Sequence, residues 1–266
     1  MLETLRSLLL YKHFIFSSIR NELVTKFVRS KLGGLWVIIN PLSQVAIYAL
    51  ILSNVLAAKI PEVESTYAYA IYLMAGLLAW NLFSEIMNRC LNVFIENGNL
   101  MKKMHFPKIT LPIIALGSSI LNNVLLFVAM MLIFVVLGHS FSLMLFWLIP
   151  LTLLLVTLAL SLGLILGIFN VFLRDIGQIM PIVLQVWFWF TPIVYPIAII
   201  PEKYHQWLML LNPMFSITQA YQTIIVYNQA PSFDTGLIWG CCIALLSLVL
   251  SLFLFRRATE EMADVL

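Results

Sequence analysis

The chain has 266 residues, 62% of them hydrophobic and 10% charged, with a mean hydropathy of +1.00. Soluble domains carry about 25% charged residues, so this composition excludes a soluble globular fold and predicts an all-α integral membrane protein. The formal charge of +3 matters less than where the charges sit, because their distribution sets the topology.

Residues 1–34 read as a cytoplasmic N-terminal segment. MLETLRSLLLYKHFIF is no secretory signal, since Lys12 interrupts the apolar part and no small-residue cleavage site follows. Residues 11–31 are amphipathic at helical period: Phe16, Ile19, Leu23 and Phe27 share one face, with Ser18, Glu22, Thr25 and Arg29 opposite. Lys12, Arg20 and Lys31 flank the apolar face, where their stems snorkel. That design predicts a helix lying in the membrane interface; a soluble amphipathic helix is the alternative.

Six spans follow within residues 35–256, at about 35–56, 67–86, 111–137, 143–172, 179–199 and 237–255, before a cytoplasmic tail at 257–266. Gly33-Gly34 bends the chain into span 1, which carries Asn40-Pro41 in its first turns. Glu85 and Arg89 are four apart at the end of span 2, a spacing that allows a pair on one helix face. Residues 88–110 form a polar, basic loop in which Gly98-Asn99 and LMKKMHFP predict a turn and a short basic helix ended by Pro107. Two lysines and a phenylalanine there suit docking to a cytoplasmic partner; an ordinary positive loop is the alternative. Gly138-His139 make a tight hairpin to span 4, whose Gly163 and Gly167 form a GxxxG close-packing pattern.

The stretch Phe172–Met214 is the most unusual. After Arg174-Asp175 it runs uncharged for 26 residues to Pro201, with five aromatics among the nine residues Trp187–Tyr195 and prolines at 181, 192, 196 and 201. Each proline removes a backbone donor and obstructs a carbonyl, and groups freed at membrane depth must be re-satisfied by protein or a water-lined cavity. Span 5 is therefore expected to break near its outer side and line a pathway, or else to be a kinked helix with an interfacial aromatic belt. The apolar pieces at 204–211 and 215–227 suit short re-entrant helices between spans 5 and 6.

Thirteen of the fifteen Lys and Arg fall on one side of this topology and two, Lys59 and Lys203, on the other. The positive-inside rule then places both termini in the cytoplasm. No span core carries Asp, Glu, Lys, Arg or His. That argues against proton coupling, voltage sensing and hydrolysis inside the membrane. No phosphate-binding G-x-x-x-x-G-K-[ST] loop and no metal-ligand spacing occur. The reading is a transport permease without its own nucleotide site, catalytic residues or metal. Cys90, Cys241 and Cys242 read as free thiols. Pathway candidates are the neutral groups Tyr48, Trp80, Trp187, Trp189, Thr191 and Tyr195, with Asn40, Asn81 and Gln185, because aromatic faces pack on sugar C–H faces; lipid-facing rings are the alternative. An integral membrane enzyme acting on lipid-linked sugar is the competing class. It needs a paired ionisable constellation, and the outer segments offer only scattered charges such as Glu62, Glu202 and Asp234.

SKLGGLWVIINPL, NGNLMKKMHFPKITLP, NVFLRDIGQI and FTPIVYP…IP…LNPM occur in that order. Together they resemble the membrane subunit of type-2 ABC exporters of cell-surface polysaccharides, the O-antigen exporter permeases above all, with capsule and teichoic acid permeases as relatives. The resemblance implies a homodimer paired with two copies of a separate ABC ATPase, which would bind ATP and magnesium. It implies a polysaccharide on undecaprenyl diphosphate as substrate, a cytoplasmic (inner) membrane location, membrane lipids as neighbours and no nucleic-acid partner. On this reading Asn99, Lys102, Lys103, His105, Phe106 and Pro107 form the ATPase-coupling segment. Arg174 and Asp175 match the cytoplasmic turn before span 5, and Thr191-Pro192 opens the exit gate. Arg20, Lys26, Arg29 and Lys31 are the expected receivers of the lipid diphosphate, on charge and position.

Overall fold

A computed structural model describes residues 9–28, 35, 36, 39, 42, 43, 68–103, 106–136 and 138–265. The described residues are helical and contain no strand. In chain order the helices are α1 (Lys12–Val28), α2 (Ala68–Glu96), α3 (Gly98–Lys103), α4 (Thr110–Val136), α5 (Leu148–Phe172), α6 (Asp175–Phe190), α7 (His205–Leu211), α8 (Pro213–Tyr227) and α9 (Thr235–Val265). A 3₁₀ turn at Leu143–Trp147 leads into α5. Four of these are long and apolar enough to cross a membrane: α2, α4, the Leu143–Phe172 unit and the Thr235–Thr259 part of α9.

α2 is the axis of the bundle. It packs against α4, α5 and α8, while α5 packs on its other side against α9. Leu73, Ala75, Ala79, Phe83, Ile86, Cys90 and Phe94 are fully buried along its length. α4 and α9 instead leave Val124, Val128, Leu132, Leu246, Val249 and Phe253 exposed, the apolar coat expected of helices facing lipid. The α2–α5 contact is close because the GxxxG glycines sit in it. A Cβ on Gly163 would stand 2.8 Å from the Cys90 Cβ, and one on Gly167 would run into the Cys90 carbonyl. The backbones therefore meet without side chains between them. A buried Ser161–Ser247 hydroxyl pair, 2.7 Å apart, joins α5 to α9.

Several boundaries depart from expectation. Span 2 and the loop after it are one helix to Glu96, because the Asn88 and Asn92 side chains bond back to the Ser84 and Asn88 carbonyls and stay within the turn. The expected tail after 256 continues as helix to Val265, anchored where the Lys108 ammonium donates to the Thr259 carbonyl. Span 5, expected at 179–199, is α6, which begins at Asp175 and ends at Phe190. Its 16 residues measure about 24 Å against a hydrocarbon core of about 30 Å. Pro181 stays inside α6, and the helix stops where Pro192 would next enter it. The expected first span lies almost wholly outside the described residues.

α1 docks through part of its apolar face, Ile19 and Leu23, together with Ser18 and Glu22 from its polar side. Ile15, Ser18, Ile19, Glu22 and Leu23 turn toward the protein, whereas Phe16 is 74% exposed. Two causes act together. Gly117 on α4 leaves room for the Ile19 side chain. Arg89 draws Glu22 inward, with Nη2 and Oε2 2.7 Å apart.

Candidate functional site

The break after α6 is built from hydrogen bonds that replace the missing helical ones. Thr191, Ile193 and Val194 are buried, and the Thr191 hydroxyl donates back to the Trp187 carbonyl at 3.0 Å. Beyond it, the carbonyls of Pro192, Val194 and Tyr195 meet side chains from other helices. Tyr69 on α2 donates to the Val194 carbonyl at 2.6 Å, and Tyr72 lies 3.1 Å from that of Pro192 and 3.2 Å from that of Tyr195. Gln222 on α8 also donates to the Pro192 carbonyl, at 3.0 Å. The Tyr195 hydroxyl reaches back to the Trp189 carbonyl at 2.8 Å. Side chains of the protein itself thus meet this irregular backbone, the kind of partner such a backbone needs at membrane depth.

Asn212 joins the two halves of the site. Its Oδ1 accepts from the Trp187 indole at 2.8 Å and from the Met214 amide at 3.0 Å; its Nδ2 donates to Thr191 Oγ1 at 2.9 Å and to the Phe190 carbonyl at 3.2 Å. All four capacities of the amide are used. Asn-Pro is a favoured helix opening, with Asn as N-cap and Pro at the first helical position, and α8 starts in this way at Pro213. Trp187 is also held edge-on to Phe83 at 5.1 Å and to Trp80 at 6.4 Å between ring centres.

At the opposite end of α2 a polar cavity of about 670 Å³ lies between α1, α2 and α4. Glu22 accepts from Ser118 at 2.7 Å as well as from Arg89. Glu85 stands 3.8 Å from Arg89 and accepts from Asn122 at 2.6 Å. The i,i+4 pair read from the sequence is thus one side of a network whose shorter contact crosses to α1. Beside it, α3 holds Asn99, Lys102 and Lys103 exposed, and Phe106 packs near Phe14 at 6.2 Å between centres.

A third cluster shapes the turn between α5 and α6. Buried Asn170 accepts from the Gly177 amide at 2.8 Å and donates to the Leu91 carbonyl at 3.0 Å. A Cβ at Gly177 would lie 2.9 Å from Asn170 Oδ1, so a larger residue there would displace the Asn170 amide from its partners. Arg174 and Asp175 stand exposed at its tip, with Asp175 in the favourable first turn of α6.

The family described as ABC-2 type transporter matches residues 14–226, which include every cluster just described. The chain belongs to the ABC-2 type transporter family. It is similar over 99% of its own length and 99% of the relative's to an O-antigen export system permease protein, RfbA, of Myxococcus xanthus, at 30% identity. An RfbA of Klebsiella pneumoniae is 26% identical over 92% of each chain. The polysialic acid transport protein KpsM of Escherichia coli is 25% identical over 91% of this chain and 92% of that one.

Within this ABC-2 chain the expected pathway residues divide. Trp80, Thr191 and Pro192 are buried by the chain's own helices and Trp187 is half-buried, so these four meet as a bracket behind the break. Trp189 is 51% exposed, and Tyr195 is half-buried. Arg20 is exposed on α1. Tyr48, Arg29, Lys31 and His105, together with the Lys26 side chain, lie outside the described residues. Sequence reasoning passed over Tyr69, Tyr72, Asn170, Asn212, Gln222 and Glu22 as site groups. Asn212 and Asn170 carried a legible signal, one as an Asn-Pro helix start and the other inside a quoted motif. The partners of Tyr69, Tyr72 and Gln222 lie more than 25 positions away, and no local pattern marks them.

Proposed function

We propose that this ABC-2 chain is the membrane-spanning permease of an exporter that moves a cell-surface polysaccharide across the cytoplasmic membrane. The observation that carries the reading is end-to-end similarity to an O-antigen export permease, 99% of both chains. The substrate is an O-antigen type polymer on undecaprenyl diphosphate. Capsule export is the second reading, favoured by similarity to the polysialic acid transport protein over 91% of the chain. Two copies of the chain work with two copies of a separate ATPase that binds ATP and magnesium. Both termini are cytoplasmic, α1 lies in the inner interface and the Phe190–Tyr227 region re-enters from the outer face. The exposed apolar side of α6 (Ile179, Ile182, Val186, Trp189) is the face turned to the second copy and the polymer. Arg20, Lys26, Arg29 and Lys31 receive the diphosphate at the cytoplasmic interface. Deleting the gene is expected to trap lipid-linked polymer inside the cell; normal surface polymer in the deletion strain would refute the reading.

The ATPase docks on α3 and the residues after it: Asn99, Lys102, Lys103, His105, Phe106 and Pro107. Exposure of both lysines beside the anchored Phe106 supports this. Reversing both charges, Lys102→Glu with Lys103→Glu, is expected to weaken ATPase association by about tenfold or more, since like charges brought together at an interface cost several kcal/mol. Copurification of the two subunits measures it. Unchanged stoichiometry would remove the lysines from the interface.

A further inference from the structure

The outer end of α2 and the middle of α8 converge on one carbonyl, that of Pro192. Tyr72 and Gln222 stand 3.1 Å and 3.0 Å from it. The convergence depends on Gly76, one helical turn below Tyr72. A Cβ there would sit 2.9 Å from the Gln222 amide nitrogen and 3.1 Å from the Ile193 side chain, so a larger residue would push both away. Beyond the Pro192 carbonyl lies a cavity of about 120 Å³, lined by Tyr72, Pro192, Ala198, Gln219, Gln222 and Thr223 among others. Roughly 10–15 Å³ of such volume admits one water, so this space, lined by both polar and apolar groups, has room for water beside Gln219, Gln222 and Thr223. The Thr191–Tyr195 segment therefore has two ways to satisfy its carbonyls: on the two side chains, or on water if it swings away from them. A buried hydrogen bond of this kind contributes modestly to net stability, which suits a contact that opens and closes.

We propose that Tyr72 and Gln222 are positioning residues that latch the exit segment shut through the Pro192 carbonyl, and that each transport cycle releases this latch. The proposal rests on reading the break as the exit of an ATP-driven exporter. It adds that Tyr72 and Gln222, beside the Tyr69 bond to the Val194 carbonyl, hold that exit, and on which helix the release arrives. α2 carries the Tyr72 contact near one end and the Glu22–Arg89 pair near the other. A shift of α2 driven from the ATPase end is therefore felt directly at the latch.

The test uses the full-length permease copurified with its ATPase in proteoliposomes, with Cys90, Cys241 and Cys242 replaced by alanine. A single reporter, Val194→Cys, is placed behind the segment, where Val194 is 3% exposed. A soluble maleimide then measures access. With the latch intact, labelling is expected to be slow and to accelerate when ATP is added. In the Tyr72→Phe/Gln222→Met variant it is expected to be fast without ATP, by about tenfold or more for two lost hydrogen bonds. A second reporter, Ser161→Cys, sits fully buried between α5 and α9 and is expected to stay unlabelled throughout. Equal labelling of Val194→Cys with and without the latch groups, no response to ATP, or parallel labelling of Ser161→Cys would each overturn the proposal. If the double variant does not assemble, Tyr72→Phe alone decides, because it removes one hydroxyl and no carbon. The labelling needs no polymer, so the latch is judged separately from the substrate, whose own test is surface polymer in the deletion strain.

Discussion

Replacing Gly167 by alanine is expected to abolish stable assembly of the bundle. The added Cβ would run into the Cys90 carbonyl on α2, and a backbone carbonyl has no rotamer to escape into. α2 and α5 would have to move apart along their whole contact, which includes Met87, Leu91, Leu158 and Leu164. Overpacking that side chains absorb costs about 1–3 kcal/mol. A clash that only backbone separation relieves belongs in the rarer class above about 4 kcal/mol. Gly163→Ala is expected to be milder, because its obstacle is the Cys90 Cβ at 2.8 Å. Adding Cys90→Gly should recover part of the Gly163→Ala loss, less about 1 kcal/mol for a helical glycine, and recover none of the Gly167→Ala loss. Size-exclusion profiles and thermal melting of the detergent-solubilised protein separate these outcomes. A monodisperse, normally melting Gly167→Ala protein would mean that α2 and α5 do not approach as described.

The helices facing lipid were readable in the sequence because lipid imposes a simple rule. Residues 110–136 and 143–172 are dominated by apolar residues, and their observed ends fall within one residue of those expected. α2 was harder. Its second half carries Asn88, Arg89 and Asn92, which look like a loop when polarity is read as exposure. In the fold these groups are half-buried and bond to the helix's own carbonyls, to Glu22 or to Asn170. On α1, Ser18 and Glu22 depart from the pattern, for a related reason. A hydrophobic wheel assumes that polar faces seek water, whereas Glu22 is held inward by a cation 67 positions later.

The site was legible as a place but not as a mechanism of support. Prolines and aromatics at 187–196 located the break, and the requirement that freed carbonyls find partners said that something must meet them. The partners Tyr69, Tyr72 and Gln222 come from helices far away in sequence, and nothing in their neighbourhoods distinguishes them from other interfacial residues. The same distance explains Trp80 and Trp187. Both read as pathway aromatics by composition, and in the fold their rings meet Phe83 and Phe188 at tilted or edge-to-face angles. An aromatic residue's direction is set by its tertiary neighbours, which periodicity within one span does not encode.

Asn212→Leu is expected to disconnect α6 from α8 and stop export. The side chain is buried and makes four hydrogen bonds, to Trp187, Thr191, the Phe190 carbonyl and the Met214 amide. Losing the N-cap alone costs about 1 kcal/mol. Cross-helix bonds in membrane proteins average about 0.6 kcal/mol and reach about 1.7 kcal/mol. The three contacts to the α6 end therefore add about 2–5 kcal/mol if they act together. Asn212→Asp divides the role. The carboxylate still accepts from Trp187 and Met214, so α8 keeps its cap, but it no longer donates to Thr191 Oγ1 or the Phe190 carbonyl. The aspartate variant keeps the α8 cap but buries a carboxylate against the Phe190 carbonyl, so it is expected to melt below the native protein, hold the end of α6 loosely and transport poorly. Asn212→Leu loses both stability and transport. Thermal melting set beside surface polymer in complemented cells distinguishes the two. If Asn212→Asp transported normally, the contacts to Thr191 and Phe190 would be dispensable, and positioning of the break would have to rest on Tyr69, Tyr72 and Gln222 alone.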